Sequence, residues 1–375
     1  MLPALEEGGV ECETVELAGY LVSQGHRSLV ISAGGRMVPA LTTAGTIHHT
    51  WPHIGEKSPR CLQYFLTLRR FLIDNQVDIL HLRSRLPAWV GYLVWKSLPR
   101  NKRPYLVTTF HGFHSINAYS AIMAKGQTVI AVSRCIAEHI KDAYGVSDSR
   151  ISVIYGSYDR NFFDFQQVAK ERMDVLRNQW GIAKDNAPVI LLPGRITRLK
   201  GHGFFIRSLA RIQHLPWIAI CTGDLAQNPD LAVELQDMAV RSGLAGRIRF
   251  TGYCQDMPAA LKMAQVVVSS SIKPESFGRI AVEAQAMETP VIATAHGGSL
   301  ETVRDRETGW LVQPGNEEEM AGAMAEALSD QELCRRMGKR GRAWVEVQFT
   351  ARKLFEQTLD VYGKHWKKNT GNEGE

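Results

Sequence analysis

Short apolar runs alternate with amphipathic stretches along almost the whole chain. Ten of these runs are rich in β-branched residues and are apolar on both faces, which is typical of strands in a buried parallel sheet. Helical patterns such as that of 58–76 separate them. The predicted strands cover 28–32, 78–82, 105–110, 128–133, 151–155, 188–195, 217–224, 248–253, 266–271 and 290–294.

Strands of this kind, joined by helices, build βαβ units. Each half of the chain carries its own series, so the pattern predicts two doubly wound α/β domains. We place the boundary within 156–187, where the last strand of the first half is followed by "GSYDRNFFDF", a charged helix and "GIAKDNAP". The predicted domains are 1–165 and 166–349, and a C-terminal helix at about 350–367 is predicted to pack back on the first domain.

Composition indicates a globular protein in a reducing compartment. Of 375 residues, 45% are hydrophobic and 22% are charged. The six cysteines are scattered without a CxxC pair, which fits the cytosol better than a disulfide framework or a zinc site. No apolar run approaches the roughly 20 residues that span a bilayer, and no signal peptide is recognised. We therefore expect a cytoplasmic location.

Positive charge is concentrated in the first half. Residues 1–160 hold 17 Lys and Arg against 12 Asp and Glu, which is +5 of the +6 of the whole chain. The basic stretch 57–103 would suit an anionic partner such as a membrane surface, a phosphorylated lipid or nucleic acid, and a merely solvated helix face is the alternative. The candidate acceptor or membrane patch consists of Arg60, Arg69, Arg70, Arg83, Arg85, Lys102 and Arg103.

Candidate chemistry is expected where strands end, because open parallel sheets bind ligands outside the carboxyl ends of their strands. The first strand of the second half runs into "GRITRLKGHGFF", which contains Gly194, Arg195 and Lys200. Two cations and the N–H groups at the start of a helix form an anion site the size of a diphosphate. The alternative is a βα loop whose basic residues are only solvated, since glycine-rich loops alone are weak signals.

A second loop, "KPESFGRIAVE", follows the strand 266–271. The helix is predicted to run from Arg279 to Glu288, with Glu283 on its inward stripe. A buried carboxylate is costly unless hydrogen bonds satisfy it, and paired sugar hydroxyls can donate them. We therefore interpret Glu275 and Glu283 as hydroxyl acceptors for two different sugars on either side of the diphosphate. A simple interaction of Glu275 with the helix field is the alternative.

The glycine of the same loop has a separate role. Gly278 would let the backbone approach a ligand closely. The amides that follow it, including that of Ile280, would again face an anion. The sequence therefore predicts a ligand at the start of this helix.

The motifs "GRITRLKG", "ESFGRIAVE", "ATAHGGSLETV" and "TGWLVQPGN", in this order, resemble the retaining GT-B glycosyltransferases of family four. "LPALEEGGVE" and "TTFHGFHS" resemble the same family, so the likeness covers nearly the whole chain. It implies an α/β GT-B fold, in which two doubly wound Rossmann-like domains face a central cleft. The first domain would bind the acceptor and the second the nucleotide-sugar donor.

The resemblance also implies a role for each matching position. Arg195 and Lys200 would neutralise the donor diphosphate and stabilise the departing nucleoside diphosphate. Glu283 would hold the ribose, and Glu275 the transferred sugar. The other implied contacts are the backbone at Phe277 and Gly278, the N-terminal loop at Gly8 and Gly9, and His111 near the anomeric centre, although a lone histidine is more often structural. The predicted catalytic set is His111, Arg195, Lys200 and Glu275.

The same likeness implies a front-face substitution, in which the leaving phosphate helps to deprotonate the acceptor and no side chain acts as the nucleophile. The chain has no D-x-D, and its two D-x-E triplets, 305–307 and 330–332, lie away from the predicted donor loops. We therefore predict that neither a metal ion nor another cofactor is required.

Two features depart from the family pattern. The chain starts at "MLPAL", so the first strand is expected to be cut short or to begin upstream, which weakens the anchoring of the Gly8–Gly9 loop. Relatives carry an Asn-Gly-Val-Asp-like turn after the interdomain strand, where this chain reads Gly156-Ser157-Tyr158-Asp159. Any role transferred to that turn is weakened.

Three functions remain open from the sequence. The leading one moves a hexose from a UDP- or GDP-sugar to a saccharide or lipid-linked acceptor with retention, in lipopolysaccharide or other cell-surface glycan synthesis. The basic stretch and "KHWKK" (364–368) suggest a protein that rests on an anionic inner membrane. The alternatives are a nucleotide-sugar epimerase on the same architecture and a non-catalytic binding module. Nucleic acid is not an expected partner, because no recognised motif accompanies the charge.

Overall fold

A computed structural model describes residues 1–6 and 8–370. The side chains of residues 59, 62 and 365–370 lie outside its described part, and these include the last four side chains of "KHWKK". The chain divides into two units. The first unit comprises Met1–Gly156 and the segment from Ala351 onward, and the second comprises Ser157–Thr350. The boundary therefore falls earlier than the predicted 165/166, so that "SYDRNFFDF" belongs to the second unit.

In the first unit the strands are β1 (Leu29–Ser32), β2 (Ile47–Thr50), β3 (Ile79–Leu82), β4 (Tyr105–Phe110), β5 (Thr128–Ala131) and β6 (Ile151–Val153). The helices are α1 (Gly9–Ser23), α2 (Val38–Thr43), α3 (Tyr64–Asp74), α4 (Arg85–Ser97), α5 (Arg134–Tyr144) and, from the C-terminal segment, α14 (Ala351–Thr370). β1 pairs with β2, and β3 to β6 form a four-stranded sheet in chain order. All of these pairs are parallel.

Two contacts complete this unit. The segment before α1 is hydrogen-bonded to both sheets, from Leu2 N to Ile31 O over 3.2 Å and from Arg83 N to Met1 O over 3.1 Å. α14 packs Leu354 into the same apolar cluster as other residues of the unit. That apolar contact explains why α14 belongs to the first unit.

In the second unit the strands are β7 (Val189–Pro193), β8 (Ile218–Thr222), β9 (Ile248–Phe250), β10 (Val266–Ser269), β11 (Val291–Thr294) and β12 (Gly309–Val312). The helices are α6 (Lys170–Gln179), α7 (His202–Arg211), α8 (Pro229–Arg241), α9 (Met257–Met263), α10 (Arg279–Ala286), α11 (Ser299–Thr302), α12 (Glu317–Ser329) and α13 (Gln331–Gln348). These strands form one parallel sheet in the order β12-β11-β10-β7-β8-β9. The predicted α/β class with two parallel-sheet domains is confirmed.

The order of the second sheet positions the candidate site. The chain runs outward from β7 through β8 to β9, then returns to place β10 on the other side of β7. β7, β8, β10 and β11 are buried along their whole length, which accounts for their continuous apolar runs. A ligand is expected between β7 and β10, because open sheets bind where the strand order reverses.

The length and hydrophobicity of the helices bear on whether they could span a membrane. Within the described part of the chain, every helix is too short or too polar to cross a bilayer.

Candidate functional site

The loops after β7 and β10 lie against each other where the strand order reverses. Ile272 N donates to Leu199 O over 2.9 Å, and the Ser270 hydroxyl donates to Lys200 O over 2.9 Å. Gly201, with a φ of 71°, packs so closely that a Cβ there would lie 1.9 Å from Ser270 O. The two loops selected from the sequence therefore form one surface at the carboxyl end of the sheet.

An ion pair joins these loops. Lys200 Nζ lies 2.6 Å from Glu275 Oε1, and the two side chains are only 27% and 17% exposed. The Ser271 hydroxyl donates to the same carboxylate oxygen. Burial by itself would raise the pKa of Glu275, but the Lys200 charge and the hydrogen bonds from Lys200 and Ser271 outweigh it and hold the pKa below its usual value. Glu275 is therefore a carboxylate acceptor at neutral pH.

The glycine turn before α11 holds the backbone of Glu275. Gly298 N donates to Glu275 O over 2.8 Å, and Glu275 forms a parallel bridge with Gly297. Gly297 has a φ of 57°, and a Cβ there would lie 2.5 Å from Glu275 O. This close approach explains the paired glycines of "ATAHGGSLETV".

Two neighbours of Glu275 had no role in the sequence analysis. Ser271 donates to the carboxylate, and His296 Nε2 lies 2.7 Å from Ser271 O and 2.9 Å from Thr294 Oγ1. Ser271 and His296 each stand two residues after a strand, β10 and β11 respectively. That position is a signal that could have identified both.

α10 is buried around most of its circumference, not along one stripe as the sequence predicted. All residues from Ala281 to Ala286 are buried, and Ile280 is half-buried. The helix ends at Ala286 instead of reaching the predicted Glu288. Its N-cap is Gly278, in the left-handed region at a φ of 81°. A glycine there avoids the strain that a side chain would bring.

Glu283 is the buried acid of this helix. It is 8% exposed, and Arg279 Nε lies 2.7 Å from its Oε1. Burial raises the pKa of Glu283, and the charges of Arg279 and Lys200 offset that effect only in part. Lys200 therefore acts on both acids, which places Lys200, Glu275 and Glu283 in one electrostatic site. Arg279 was missed as the partner of Glu283.

The other predicted residues of the second unit are placed as follows. Arg195 is exposed on the loop after β7. Gly194 is tightly packed, because a Cβ on Gly223 would lie 2.1 Å from Gly194 O. Phe277 is 7% exposed, and its ring packs edge-on against Phe349 at 5.4 Å. The side chain of Phe277 therefore serves the core, and only its backbone remains a candidate for ligand contact.

The three predicted residues of the first unit lie at element ends. Gly8 is the N-cap of α1 and Gly9 is its first residue. His111 directly follows β4, and its Nε2 is buried without a hydrogen-bond partner among residues 1–6 and 8–370. Burial, the charge of Arg83 and then His114 lower the pKa of His111 well below its usual value. The ring of His111 is therefore neutral at physiological pH.

The predicted basic patch is only partly a surface feature. Arg83 is 5% exposed and paired with Glu13, so its inclusion in an exposed patch was wrong.

The other basic residues of the patch differ in exposure. Arg103 donates to Leu98 O over 2.9 Å and lies over the Trp95 ring. Arg85 is half-buried near Tyr119 and Ser120. The exposed cations that remain are Arg60, Arg70 and Lys102, with Arg69 half-exposed.

The search for metal-binding side chains covers residues 1–6 and 8–370. Within the part of the chain that the structure describes, His, Cys, Asp and Glu side chains form no group of three or more that could hold a metal ion. The second-unit site combines the ion pairs Lys200–Glu275 and Arg279–Glu283 with the N-terminus of α10. This combination suits a ligand that carries both negative charge and hydroxyl groups.

Comparison with known proteins gives consistent matches. Residues 174–344 match the family model described as glycosyl transferases group 1, and residues 7–162 match glycosyltransferase family 4. The crystal structure of a glycosyltransferase from Rickettsia africae ESF-5 is similar at 30% identity and a TM-score of 0.87, covering 99% of this chain and 98% of that one.

Two further proteins show the same likeness at lower identity. Anabaena Alr3699/HepE in complex with UDP-glucose is similar at 24% identity and a TM-score of 0.80, covering 97% of this chain and 98% of that one. The uncharacterized glycosyltransferase MJ1607 of Methanocaldococcus jannaschii is 24% identical over 95% of this chain and 94% of its own length.

Proposed function

Because the chain belongs to the group 1 glycosyltransferases and has the GT-B fold, we propose that it transfers a hexose from a nucleotide diphosphate sugar to a saccharide or lipid-linked acceptor, with retention of anomeric configuration. The observation that carries the proposal is the Lys200–Glu275 pair at the reversal point of the second sheet. A nucleotide sugar offers a diphosphate to the cation and hydroxyls to the carboxylate, so it can replace the contact between them.

In this proposal the charged side chains bind different parts of the donor. Lys200 and the exposed Arg195 bind the diphosphate, to which the N-terminus of α10 adds a favourable helix field. Glu275 accepts hydrogen bonds from the transferred sugar, and Glu283 accepts them from the ribose. The backbone at Gly278 lets the ligand approach α10.

The chemical step is a substitution at the anomeric carbon. The bond from this carbon to the diphosphate oxygen breaks, and the electron pair leaves with the nucleoside diphosphate. The acceptor oxygen forms the new bond on the same face, and its proton passes to the leaving phosphate. Lys200 and Arg195 stabilise the charge that develops on the diphosphate, which is commonly the largest catalytic contribution.

The first unit contributes to the same proposal. The family resemblance assigns His111 to the transferred sugar and the backbone at Gly8 and Gly9 to the donor phosphates. The first unit also receives the acceptor saccharide, in the synthesis of lipopolysaccharide or another cell-surface glycan.

We expect a UDP-sugar or GDP-sugar to raise the melting temperature of the protein, because a ligand that binds only the folded state stabilises it by about 2.7 kcal/mol at about 100 times Kd. UDP-sugars are tested first, since a structural neighbour was solved with UDP-glucose. The check is a thermal-shift screen of nucleotide sugars, followed by an assay of nucleotide release with and without acceptor. Absence of any shift with every donor would overturn the proposal.

The same assay tests metal independence. Activity in excess EDTA is expected to equal that in added Mg²⁺, because Lys200 and Arg195 supply the positive charge. A strict requirement for a divalent ion would show that these side chains do not suffice.

Peripheral binding to the cytoplasmic face of an anionic membrane is part of the proposal. Replacing Arg60, Arg70 and Lys102 by Gln should weaken binding to phosphatidylglycerol vesicles about a hundredfold in flotation at low salt, since each cation gains about 1 kcal/mol near an anionic surface. The matched control replaces Arg336, Lys339 and Arg340, three exposed cations of α13 in the second unit, by Gln. Equal losses in both variants would mean that net charge, not this surface, governs binding.

The epimerase alternative has no specific observation in its favour. A nucleotide-sugar epimerase would consume the donor without an acceptor and return a changed sugar. The acceptor-free arm of the nucleotide-release assay separates that outcome from transfer.

A further inference from the structure

Lys200 and Ser271 bind the same oxygen of Glu275 from two different loops. Lys200 Nζ lies 2.6 Å from Glu275 Oε1, and the Ser271 hydroxyl donates to the same atom. Lys200 belongs to the turn after β7, whereas Ser271 stands two residues beyond the end of β10. Because the two donors are carried by different loops, Lys200 can leave Oε1 while Ser271 stays.

Ser271 is tied to the sheet on its backbone side. It is 3% exposed, and its carbonyl oxygen accepts a hydrogen bond from the Thr294 hydroxyl over 2.8 Å and lies 2.7 Å from His296 Nε2. Thr294 is the last residue of β11, so these contacts hold the chain after β10 against the neighbouring strand. Lys200 reaches Glu275 through a flexible four-carbon stem. Ser271 is therefore the fixed donor of the two, and Lys200 is the adaptable one.

The binding of a diphosphate would change the surroundings of Glu275. The diphosphate would draw Lys200 away from a carboxylate whose side chain is only 17% exposed. A buried carboxylate that loses a hydrogen bond is costly, so it would turn toward another donor. Gly298 N holds the backbone of Glu275 at its carbonyl oxygen, which leaves rotation of the side chain as the available movement. Only a donor that stays on the carboxylate prevents that rotation.

We propose that Ser271 is a positioning residue for the transferred sugar: its hydroxyl keeps the Glu275 carboxylate in place while the donor diphosphate takes Lys200. This inference rests on the proposed function, in which Glu275 accepts hydrogen bonds from that sugar. An ionised carboxylate offers about four lone-pair sites, so Oε1 can keep Ser271 and still accept a sugar hydroxyl where Lys200 was bound. The ion pair is thus exchanged for two contacts with one ligand.

The test compares two ligands that differ only by the transferred sugar. The probes are UDP and UDP-glucose, since a structural neighbour was solved with each. GDP and a GDP-sugar replace them if the thermal-shift screen selects guanine nucleotides. Ser271→Ala should weaken the binding of UDP-glucose about tenfold, the effect of one hydrogen bond to a charged group, and lower kcat/KM to a similar degree. The Kd of UDP, which has no sugar for Glu275 to hold, should stay unchanged in isothermal titration.

Two further variants separate positioning from folding. The matched control is Ser208→Ala, because Ser208 is a buried serine of α7 in the same unit whose hydroxyl donates to Phe204 O over 2.9 Å. It loses the same group away from Glu275, so both ligands should bind as they do to the parent. Ser271→Cys keeps a side chain of similar size with a weak donor, so it should lose less affinity for UDP-glucose than Ser271→Ala. Ser271→Cys also carries the test if the alanine variant folds poorly.

The ratio of the two Kd values decides the outcome. Equal losses of affinity for UDP and UDP-glucose would show that Ser271 serves only the fold of the site, and parental affinity for both would show that Glu275 needs no support from it. Either result overturns the positioning role. Glu275→Gln tests the proposed function separately. If Glu275→Gln keeps the parental kcat and the parental Kd for UDP-glucose, the contact between Glu275 and the sugar fails instead.

Discussion

Lys200→Met is expected to lower kcat about a hundredfold to a thousandfold, the loss that follows removal of one group that stabilises developing negative charge. Lys200 joins the two loops at the reversal point of the sheet and also acts on Glu283. Its Nζ is the half-buried cation that the donor diphosphate would bind. Methionine keeps much of the length and apolar stem of lysine. The measurement is kcat from the rate of nucleotide release at saturating donor.

Arg198→Met is the matched control for Lys200→Met. Arg198 belongs to the same short turn, but its side chain is 72% exposed and pairs with Glu234 at the surface. Surface pairs contribute little, so turnover and melting temperature should stay close to those of the parent. An equal loss of kcat in both variants would show that the loop, and not the Lys200 charge, matters.

The pH dependence of stability separates the effect of Lys200→Met on folding from its effect on catalysis. The folded-state pKa of Glu275 lies below its unfolded value, so its pairing stabilises the protein above the unfolded pKa and is lost as the pH falls through the folded pKa. Lys200→Met should therefore destabilise most at neutral pH, and the difference should shrink in acid. Adding Glu275→Gln should restore stability without restoring turnover, because both buried charges are then gone.

The parallel sheets could be predicted because their central strands are buried on both faces. β7, β8, β10 and β11 appear in the sequence as continuous apolar runs at nearly their observed positions. β2 was missed because its residues, including two histidines, are exposed or half-buried. β12 was also not predicted as a strand, although it lies within the quoted motif "TGWLVQPGN".

The sequence could predict those site residues that lie within one short motif. Lys200, Glu275 and Glu283 lie in two short motifs, so the sequence contains them whole. Ser271 and His296 could have been identified by their positions just after β10 and β11, but the contact between them depends on how these two strands lie beside each other. Arg83 shows the opposite error, because a basic residue was read as surface when Glu13 of another element makes its burial possible.

Glu283, the buried acid of α10, also affects how stability depends on pH. Glu283 has a folded-state pKa above its unfolded value, so the folded state keeps this proton to a higher pH. Stability due to this group therefore falls as the pH rises from the unfolded to the folded pKa, and the cost is fully present above that window. At neutral pH the ionised Glu283 therefore destabilises the fold, a cost that its proposed contact with the ribose would explain.

Glu283→Gln is accordingly expected to weaken donor binding about tenfold to a hundredfold, since a hydrogen bond to a charged group is replaced by one to a neutral amide. The same variant should be at least as stable as the parent at neutral pH, because the buried charge is gone and Arg279, 43% exposed, can be hydrated. Isothermal titration with the nucleoside diphosphate and thermal unfolding check both effects.

The matched control for Glu283→Gln is Gln285→Glu, which introduces a carboxylate at a fully buried position of the same helix. Gln285 Nε2 donates to Ala281 O and Thr302 O, both at 2.8 Å, so a carboxylate would lose both bonds and lie buried without a cation. It should cost stability without a specific effect on the nucleotide. If Glu283→Gln lost stability in the same way while binding the nucleotide normally, Glu283 would be a scaffold residue, paired with Arg279 for the fold alone.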